Sequence, residues 1–229
     1  MIEAIVLAGG FGTRLQQVVS DLPKPMAPVA GKPFLEILLS ELSKKGFKRI
    51  ILSVGYMADK IISYFGDEFK GVELVYEIED RPLGTGGAVK QALQHCKTDH
   101  VFVFNGDTYL DLDVDAAELK WQKNKAMLIV AKEVSDTARY GRIVFEGDRI
   151  VGFSEKGVEG SGLINAGCYI LPVSVLDDFE LGSPFSLEVD FFAKVVQQQR
   201  IDVFVTNGHF IDIGIPEDYF RAQVELTSI

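Results

Sequence analysis

Residues 5–24 read IVLAGGFGTRLQQVVSDLPK, and this stretch decides how the N-terminal half folds. An apolar strand predicted over residues 2–7 runs directly into a turn, Ala8–Arg14, that contains three glycines. Glycine lets a ligand approach the backbone closely, and successive N–H groups in such a turn bind anions. Arg14 and Lys24 add a planar guanidinium and a mobile ammonium beside the turn. The stretch therefore predicts a triphosphate or a similar anion over the end of the first strand.

The glycine turn matches neither of the two common phosphate-binding loops. The dinucleotide fingerprint G-x-G-x-x-G needs a third glycine where this chain has Leu15. The P-loop string G-x-x-x-x-G-K-[ST] does not occur in the chain. A plain tight turn is the simpler alternative. The two cations Arg14 and Lys24 favour an anion site instead, and Lys24 lies between Pro23 and Pro25.

Composition predicts one large α/β domain that covers residues 1–229. The chain is 47% hydrophobic, which is enough to build a sizeable core. Its formal net charge of -10 argues against nucleic acid or an anionic membrane as a partner, because both reward a basic surface. Two widely separated cysteines, Cys96 and Cys168, lack metal-ligand spacing and are typical of a reduced protein. No run of 18 apolar residues and no secretory leader is present, so we expect a cytoplasmic protein.

Strands and helices alternate through the first half of the chain. This order predicts a Rossmann-like, mixed but mainly parallel open sheet flanked by helices. After the glycine turn, the predicted elements are a helix from Phe34 that Gly46 stops, strand Arg49–Val54, helix Ala58–Phe65, strand Val72–Tyr76, a helix ending at Leu93, strand His100–Phe104, helix Val114–Asn124 and strand Ala126–Ala131.

The second half is richer in strands. We interpret Arg142–Phe145, Arg149–Phe153 and Leu163–Leu171 as hairpins laid over the sheet edge, where they could form the floor of a substrate pocket. Ser186 is expected to cap a helix over Leu187–Gln198. The remaining predicted elements are strands Ile201–Thr206 and His209–Ile213 and a last helix that begins at Pro216.

Two aspartates, Asp107 and Asp212, each follow an apolar strand segment. If both strands lie in the same region of the sheet, the two carboxylates meet at its ligand-binding edge. They could then hold one Mg²⁺, which takes one or two carboxylates together with water and phosphate oxygens. The alternative is a pair of ordinary strand-end aspartates that cap turns.

An ordered series of motifs extends over nearly the whole chain: LAGGFGTRL, PKP, PLGTGGA, NGD, YGR, SEK, NAGCY and DIGIPEDY. This series resembles the sugar-1-phosphate nucleotidyltransferases. The resemblance implies catalytic roles for Arg14, Lys24, Asp107, Lys156 and Asp212, with Mg²⁺ held by Asp107 and Asp212. It implies nucleotide binding by Leu7, Ala8, Gly9, Gly10, Gly12, Thr13, Arg14, Glu79, Pro82, Gly84, Thr85 and Asp107. It implies sugar-phosphate binding by Lys24, Gly141, Glu155, Lys156 and Asn165.

The implied reaction is in-line attack of a sugar 1-phosphate on the α-phosphorus of a nucleoside triphosphate, which expels pyrophosphate. Glu79 lies where relatives that use thymine or uracil carry glutamine, and a carboxylate only accepts hydrogen bonds. Guanine offers two adjacent donors, so GTP is the expected donor, with a solvated loop acid as the alternative. D-glycero-α-D-manno-heptose 1-phosphate is the preferred acceptor.

Three alternatives to this assignment remain open at the level of sequence. They are a mannose-1-phosphate guanylyltransferase, a relative that uses a pyrimidine nucleotide, and a non-catalytic subunit that only binds nucleotide sugars. The sequence leaves open whether the chain forms a homo-oligomer.

Overall fold

A ten-stranded sheet forms the centre of the molecule. The computed structural model describes residues 2–10 and 21–227. The strands are β1 (Glu3–Leu7), β2 (Pro28–Val29), β3 (Lys32–Pro33), β4 (Arg49–Val54), β5 (Glu68–Phe69), β6 (Val72–Ile78), β7 (His100–Asn105), β8 (Thr108–Leu110), β9 (Met127–Val134), β10 (Ile143–Glu146), β11 (Arg149–Phe153), β12 (Gly162–Pro172), β13 (Ile201–Thr206) and β14 (Phe210–Asp212). The α-helices are α1 (Phe34–Lys44), α2 (Ala58–Phe65), α3 (Gly84–Ala92), α4 (Val114–Asn124), α5 (Ala193–Val195) and α6 (Pro216–Glu225).

The strand order in the main sheet is β10-β11-β13-β9-β12-β7-β1-β4-β6-β5. Strands β7, β1, β4 and β6 are mutually parallel, and β9 and β13 are parallel to each other. This arrangement confirms the predicted mixed, mainly parallel sheet flanked by helices. The predicted bounds of β4, α2, α4, β11 and β13 agree with the structure, because each of these segments has a local pattern that identifies it.

The prediction for Leu163–Leu171 was wrong about position. The strand extends over Gly162–Pro172 and is not an edge hairpin, because it lies inside the sheet, antiparallel to both β7 and β9. It joins the two parallel groups of strands. Only β10 and β11 form the expected antiparallel pair at the sheet edge. The run of buried residues from Ala166 to Leu171 is the physical reason, since it needs cover on both faces.

The predicted helix Leu187–Gln198 also differs from the structure. Residues Leu187–Phe192 form a π-helical turn, and only Ala193–Val195 is α-helical. Ser186 caps the segment as predicted, because its hydroxyl accepts a hydrogen bond from the Val189 N–H at 3.2 Å. The π-helical turn buries Leu187 together with the adjacent Phe191 and Phe192.

Alternate residues of β1 enter cores on opposite faces of the sheet. Ala4 and Val6 pack in a cluster with α1, α2 and α4, whereas Ile5 packs with α3 and the 187–196 segment. This period of two is what a strand covered on both faces requires. Each fully buried Leu, Ile or Phe in these layers stabilises the fold by about 1.5–3 kcal/mol.

A third, smaller core lies beside the sheet and fixes the position of the C-terminal helix. It packs α1, α6 and the β2 region around Tyr109 of β8 and Ile211 of β14. The Tyr219 hydroxyl ties α6 to this core because it donates to the Pro28 carbonyl at 2.6 Å. No helix in residues 2–10 and 21–227 has both the length and the apolar character needed to cross a membrane.

Candidate active site

A cavity of about 280 Å³ opens where β1 and β7 end. This is the edge at which open α/β sheets bind ligands. Nine of its lining residues are ones for which the sequence predicts nucleotide binding: Leu7, Ala8, Gly9, Gly10, Glu79, Pro82, Gly84, Thr85 and Asp107. The remaining lining residues are Lys24, Pro25, Ala88, Asn105 and Gly106. The predicted residues Gly12, Thr13 and Arg14 lie outside the described part of the chain.

Asp107 and Asp212 come together through a two-stranded sheet that the sequence analysis did not predict. Strands β8 and β14 are antiparallel, and Asp212 is the register partner of Thr108. The Ile213 N–H donates to the Asp107 carbonyl at 2.9 Å, so the pairing of the two strands continues one residue beyond Thr108 and Asp212. Asp107 lies just before β8 and Asp212 ends β14. Both carboxylates therefore lie at one end of the small sheet.

Lys24 supplies the cation of this site. Its ammonium forms an ion pair with Asp107 Oδ2, and its side chain is only 13% exposed. Lys24 begins a short 3₁₀ turn, Lys24–Met26, with Pro23 and Pro25 on either side. Proline restricts the backbone at these positions, so the base of the lysine side chain is held near the cavity. The PKP motif thus has a physical explanation.

The charges at this site do not balance. Burial, followed by the nearby Asp107 carboxylate, raises the pKa of Asp212, while the Gly214 N–H and the Lys24 ammonium oppose that rise. The Gly214 N–H donates to Asp212 Oδ1 at 2.7 Å. Among the described residues here, the Asp107 and Asp212 carboxylates lie beside the single Lys24 ammonium, so these three side chains carry more negative than positive charge in a partly buried place. Hard oxygen ligands with excess negative charge suit Mg²⁺. No cluster of three or more His, Cys, Asp or Glu side chains suited to a metal occurs in the described ranges.

Glu79 also lines this cavity. Its Oε1 accepts from the Ser53 hydroxyl at 3.0 Å, and its Oε2 accepts from the Leu83 N–H at 3.1 Å. A Cβ added at Gly9 would lie 2.5 Å from Glu79 Oε1. A side chain at Gly9 would therefore displace the Glu79 carboxylate from this position. The cavity is lined by the Glu79 carboxylate and by the Lys24 and Asp107 pair, and Asp212 lies beside Asp107.

The glycines of the second glycine loop, PLGTGGA, have different surroundings. Gly84 and Thr85 line the cavity at the start of α3. Gly86 faces away, and a Cβ there would lie 2.2 Å from the Phe185 ring. The Gly86 N–H donates to the Phe185 carbonyl at 2.9 Å. Part of this motif therefore serves close packing of a loop against α3, which sequence alone does not distinguish from ligand binding.

The comparisons with known proteins agree with this geometry. The family model described as Nucleotidyl transferase matches residues 3–229. This chain belongs to the nucleotidyl transferase family. It is 42% identical over 226 residues to the D-glycero-alpha-D-manno-heptose 1-phosphate guanylyltransferase of Aneurinibacillus thermoaerophilus, with 98% of each chain covered. It is 43% identical to the protein of that name in Campylobacter jejuni, with 96% of this chain and 98% of the other covered.

A solved structure supports the same family membership. HddC from Yersinia pseudotuberculosis, in complex with GMP-PN, superposes with a TM-score of 0.85 at 40% identity. The match covers 97% of this chain and 98% of HddC. The nucleotidyl transferase fold is therefore shared over nearly the full length of both chains.

A partly buried polar network that the sequence analysis missed lies beside the cavity of this nucleotidyl transferase. Glu188 accepts from the hydroxyls of Thr85 at 2.7 Å, Ser186 at 2.9 Å and Tyr169 at 2.9 Å. Asn165 extends the network because its amide donates to the Tyr169 hydroxyl at 2.9 Å. Burial raises the pKa of Tyr169 well above its usual range, so the phenol keeps its proton. No local pattern signals this network, since its members come from three distant segments.

Three predicted sugar-phosphate residues lie away from this cavity. Glu155 and Lys156 are exposed in the connection between β11 and β12, and Gly141 precedes β10. The Gly157 N–H donates to the Ala138 carbonyl at 2.9 Å, so the connection between β11 and β12 contacts the connection between β9 and β10. Asn165 does not line the cavity either, but hydrogen bonds through Tyr169 and Glu188 link it to the cavity residue Thr85. Within the described part of the chain, the structure thus brings together the predicted nucleotide residues, and Lys156 does not line the cavity.

A second group of charges lies close to Asp212. Asp218, at the start of α6, is buried and accepts from Arg139 at 2.7 Å and pairs with Arg221 at 2.9 Å. Asp212 is among the charges that raise the pKa of Arg139, although burial lowers it. A separate cavity of about 380 Å³ is lined by Arg139, Tyr140, Asp218 and Arg221. The sequence analysis gave Asp218 no functional role.

Proposed function

We propose that this nucleotidyl transferase moves a guanylyl group from GTP to D-glycero-α-D-manno-heptose 1-phosphate and releases pyrophosphate. The observation that carries the proposal is one cavity lined by Glu79, Lys24 and Asp107, with Asp212 held beside Asp107 by the pairing of β8 and β14. The names of the relatives that match over nearly the full chain support the same substrates.

The triphosphate is expected to lie along the backbone that follows β1. Residues 7–10 and Gly84 expose main chain to the cavity, and oriented N–H groups there favour an anion. Gly12, Thr13 and Arg14 continue the same stretch of sequence, and we assign them to the phosphates on the motif alone. An arginine suits this task because its fork can engage two phosphate oxygens at once.

Guanine would be read by the Glu79 carboxylate. Guanine presents its N1–H and its 2-amino group side by side, and a carboxylate can accept from both. Uracil or thymine would set a carbonyl oxygen against the same carboxylate, and two acceptors repel each other. Leaving a buried acceptor without a donor costs about 1–3 kcal/mol, so the wrong base would bind at least severalfold more weakly.

The chemical step needs no general base, because the attacking phosphate of the sugar is already an anion. The protein must hold two mutually repelling anions in line and neutralise their charge. Lys24 is placed to do this beside Asp107, and Lys156 is proposed to bring a second cation with the sugar phosphate. Gly141, Glu155 and Asn165 would contact the sugar.

Asp107 and Asp212 are the residues that would hold Mg²⁺. Their excess negative charge and the raised pKa of Asp212 support this assignment. When bound, the ion would neutralise charge on the triphosphate and on the leaving pyrophosphate. The backbone contacts between β8 and β14 would hold the two carboxylates in position for this ion.

A pyrophosphate-release assay tests the proposal. The protein is incubated with Mg²⁺, each of the four common nucleoside triphosphates in turn, and heptose, mannose or glucose 1-phosphate. Release with GTP and the heptose 1-phosphate, in clear excess over every other pair, is expected. A higher rate with mannose 1-phosphate would replace the acceptor, and preference for a pyrimidine nucleotide would replace the donor. No release with any pair would favour a binding subunit.

A further inference from the structure

The Glu79 carboxylate is fixed from two sides and does not extend freely into the cavity. Ser53 Oγ lies 3.0 Å from Oε1, and the Leu83 N–H lies 3.1 Å from Oε2. Each oxygen therefore has one protein donor. These two donors belong to different segments, the end of β4 and the turn before α3, so together they set both the position and the rotation of the carboxylate plane.

Ser53 is itself held rigidly. Its side chain is completely buried near the end of β4, in a strand whose six residues are all buried. Its carbonyl accepts from the Ala8 N–H at 2.7 Å, so the same residue also anchors the start of the glycine turn. In the parallel sheet it is paired with Leu7 of β1 and Glu77 of β6. A hydroxyl on such a framework gives its hydrogen bond a fixed direction.

The hydrogen-bond capacity of Glu79 explains why this direction matters. An ionised carboxylate offers about four lone-pair positions, and Ser53 and Leu83 use two of them. The remaining positions, one on each oxygen, can face a pair of adjacent donors only if the plane is correctly rotated. Gly9 removes the side chain that would otherwise block Oε1.

Glu79 also separates two cavities. It lines the main cavity and a neighbouring one of about 190 Å³, and Gly9 and Pro82 are likewise shared. Without the Ser53 donor, the carboxylate could rotate toward the second cavity. Its oxygens would then no longer present two acceptors side by side to a base.

We propose that Ser53 is a positioning residue for guanine selectivity, because its hydroxyl orients the Glu79 carboxylate so that both oxygens accept from the base. This inference rests on the proposed function, since it takes Glu79 as the reader of guanine. Ser53 contacts neither the phosphates nor the sugar in this assignment. Its removal should change which purine is preferred more than it changes the chemical step.

Inosine triphosphate is the probe that isolates this effect, because it differs from GTP only by lacking the 2-amino group. In the natural protein, kcat/KM should favour GTP over inosine triphosphate by about 10- to 100-fold, the loss expected for one hydrogen bond to a charged acceptor. In Ser53→Ala the ratio should fall to about threefold or less. The change should lie in KM for GTP, while kcat with either nucleotide stays within about twofold.

Three further variants distinguish positioning from a general loss of structure. Ser53→Thr keeps the hydroxyl and should keep most of the selectivity. Ser53→Cys keeps the shape but offers a weaker donor, so it should give an intermediate ratio and serves if the alanine variant does not fold. Thr206→Val deletes another buried hydroxyl, which accepts a hydrogen bond from the Gly208 N–H at 3.1 Å. Thr206 lines neither of the two cavities. This variant should leave the ratio unchanged.

The outcomes separate this inference from the proposed function. An unchanged ratio in Ser53→Ala together with a reduced ratio in Glu79→Gln would overturn the role of Ser53 and keep Glu79 as the base reader. Equal losses with both nucleotides in Ser53→Ala would show a structural role only, and would also overturn it. An unchanged ratio in Glu79→Gln would remove the base-reading assignment itself.

Discussion

Asp212 and Thr108 face each other as register partners in a two-stranded antiparallel sheet, which places Asp212 beside Asp107 although 105 positions separate the two aspartates (212 minus 107). The relationship explains how distant parts of the chain supply one charged site. It also explains why the pKa of Asp212 is raised, first by burial and then by its acidic neighbour. Four predictions follow from this site and from the packing that supports it.

Asp212→Asn should reduce pyrophosphate release by at least about 10²-fold, because it removes charge and a hard oxygen ligand from the metal site. The rate should be measured over a range of Mg²⁺ concentrations, and the apparent Mg²⁺ affinity should fall. Asp111→Asn is the matched control, since Asp111 is a half-exposed acid at the end of β8 that pairs with Lys45. Its rate should stay within about twofold. Equal losses in both variants would argue against a special role for Asp212.

Lys24→Met should lower kcat by about 10²- to 10³-fold, the range observed when one group that stabilises transition-state charge is removed. Metal binding should survive, because the ammonium competes with a cation for Asp107. Titration with Mn²⁺ checks this expectation, and the affinity should be equal to or higher than that of the natural protein. Lys32→Met, at an exposed position in β3, should leave both quantities unchanged. Weaker Mn²⁺ binding in Lys24→Met would contradict the arrangement.

Gly86→Ala should destabilise the fold by about 1–3 kcal/mol, because the added Cβ would overlap the Phe185 ring. That ring stacks on Phe179 at 4.1 Å between centroids, so it has little room to move. For a chain of this length the melting temperature should fall by about 2–10 °C, measured by scanning calorimetry. Gly152→Ala is the control, since its Cβ would have no contact closer than 4.0 Å. A melting temperature unchanged by Gly86→Ala would mean that the loop is less tightly packed than described.

Glu3→Gln should lower the free energy of unfolding at pH 7 by about 3 kcal/mol, because it removes the buried carboxylate that pairs with the buried Arg49 and leaves that arginine with the half-exposed Glu73. Glu3 accepts from the Lys97 and Thr98 N–H groups at 2.8 and 2.9 Å. Burial raises the pKa of Glu3, but these hydrogen bonds, the Thr98 hydroxyl and Arg49 more than offset the rise, so its pKa lies below the usual 4.5.

The sign of the pH effect follows from that lowered pKa. The folded state binds its proton less readily than the unfolded chain, so the stabilisation is complete above about pH 4.5 and is lost as pH falls through the folded pKa. Urea denaturation between pH 7 and pH 3.5 should therefore show a smaller acid-side loss in Glu3→Gln than in the natural protein. Glu73→Gln, which alters a half-exposed partner of Arg49, should cost less than about 1 kcal/mol. An unchanged acid-side slope in Glu3→Gln would show that other carboxylates control acid unfolding.

Local patterns in the sequence were enough to identify most elements of the fold. A continuous apolar run predicted β4, and a periodic pattern with a terminal glycine predicted α1. The glycine turn at residues 8–10 and the PKP motif likewise indicated residues that line one cavity. These features depend on neighbours within a few positions, so they can be read without the rest of the chain.

Other features were decided by tertiary structure. The position of β12 between β7 and β9 depends on which strand edges remain unpaired after the parallel groups form. The residues of β12 alone do not specify these two neighbours. The link from Thr85 through Glu188 to Tyr169 joins three segments whose separate patterns are ordinary.

The chain alone thus determined the chemical groups available and the order in which strands and helices carry them. Only the folded molecule decided that Ser53 would touch Glu79 and that β8 would pair with β14. The physical reason is that such contacts are selected by burial and hydrogen-bond satisfaction over the whole core. Those conditions act on the chain as a unit and leave no spacing signature in any one stretch.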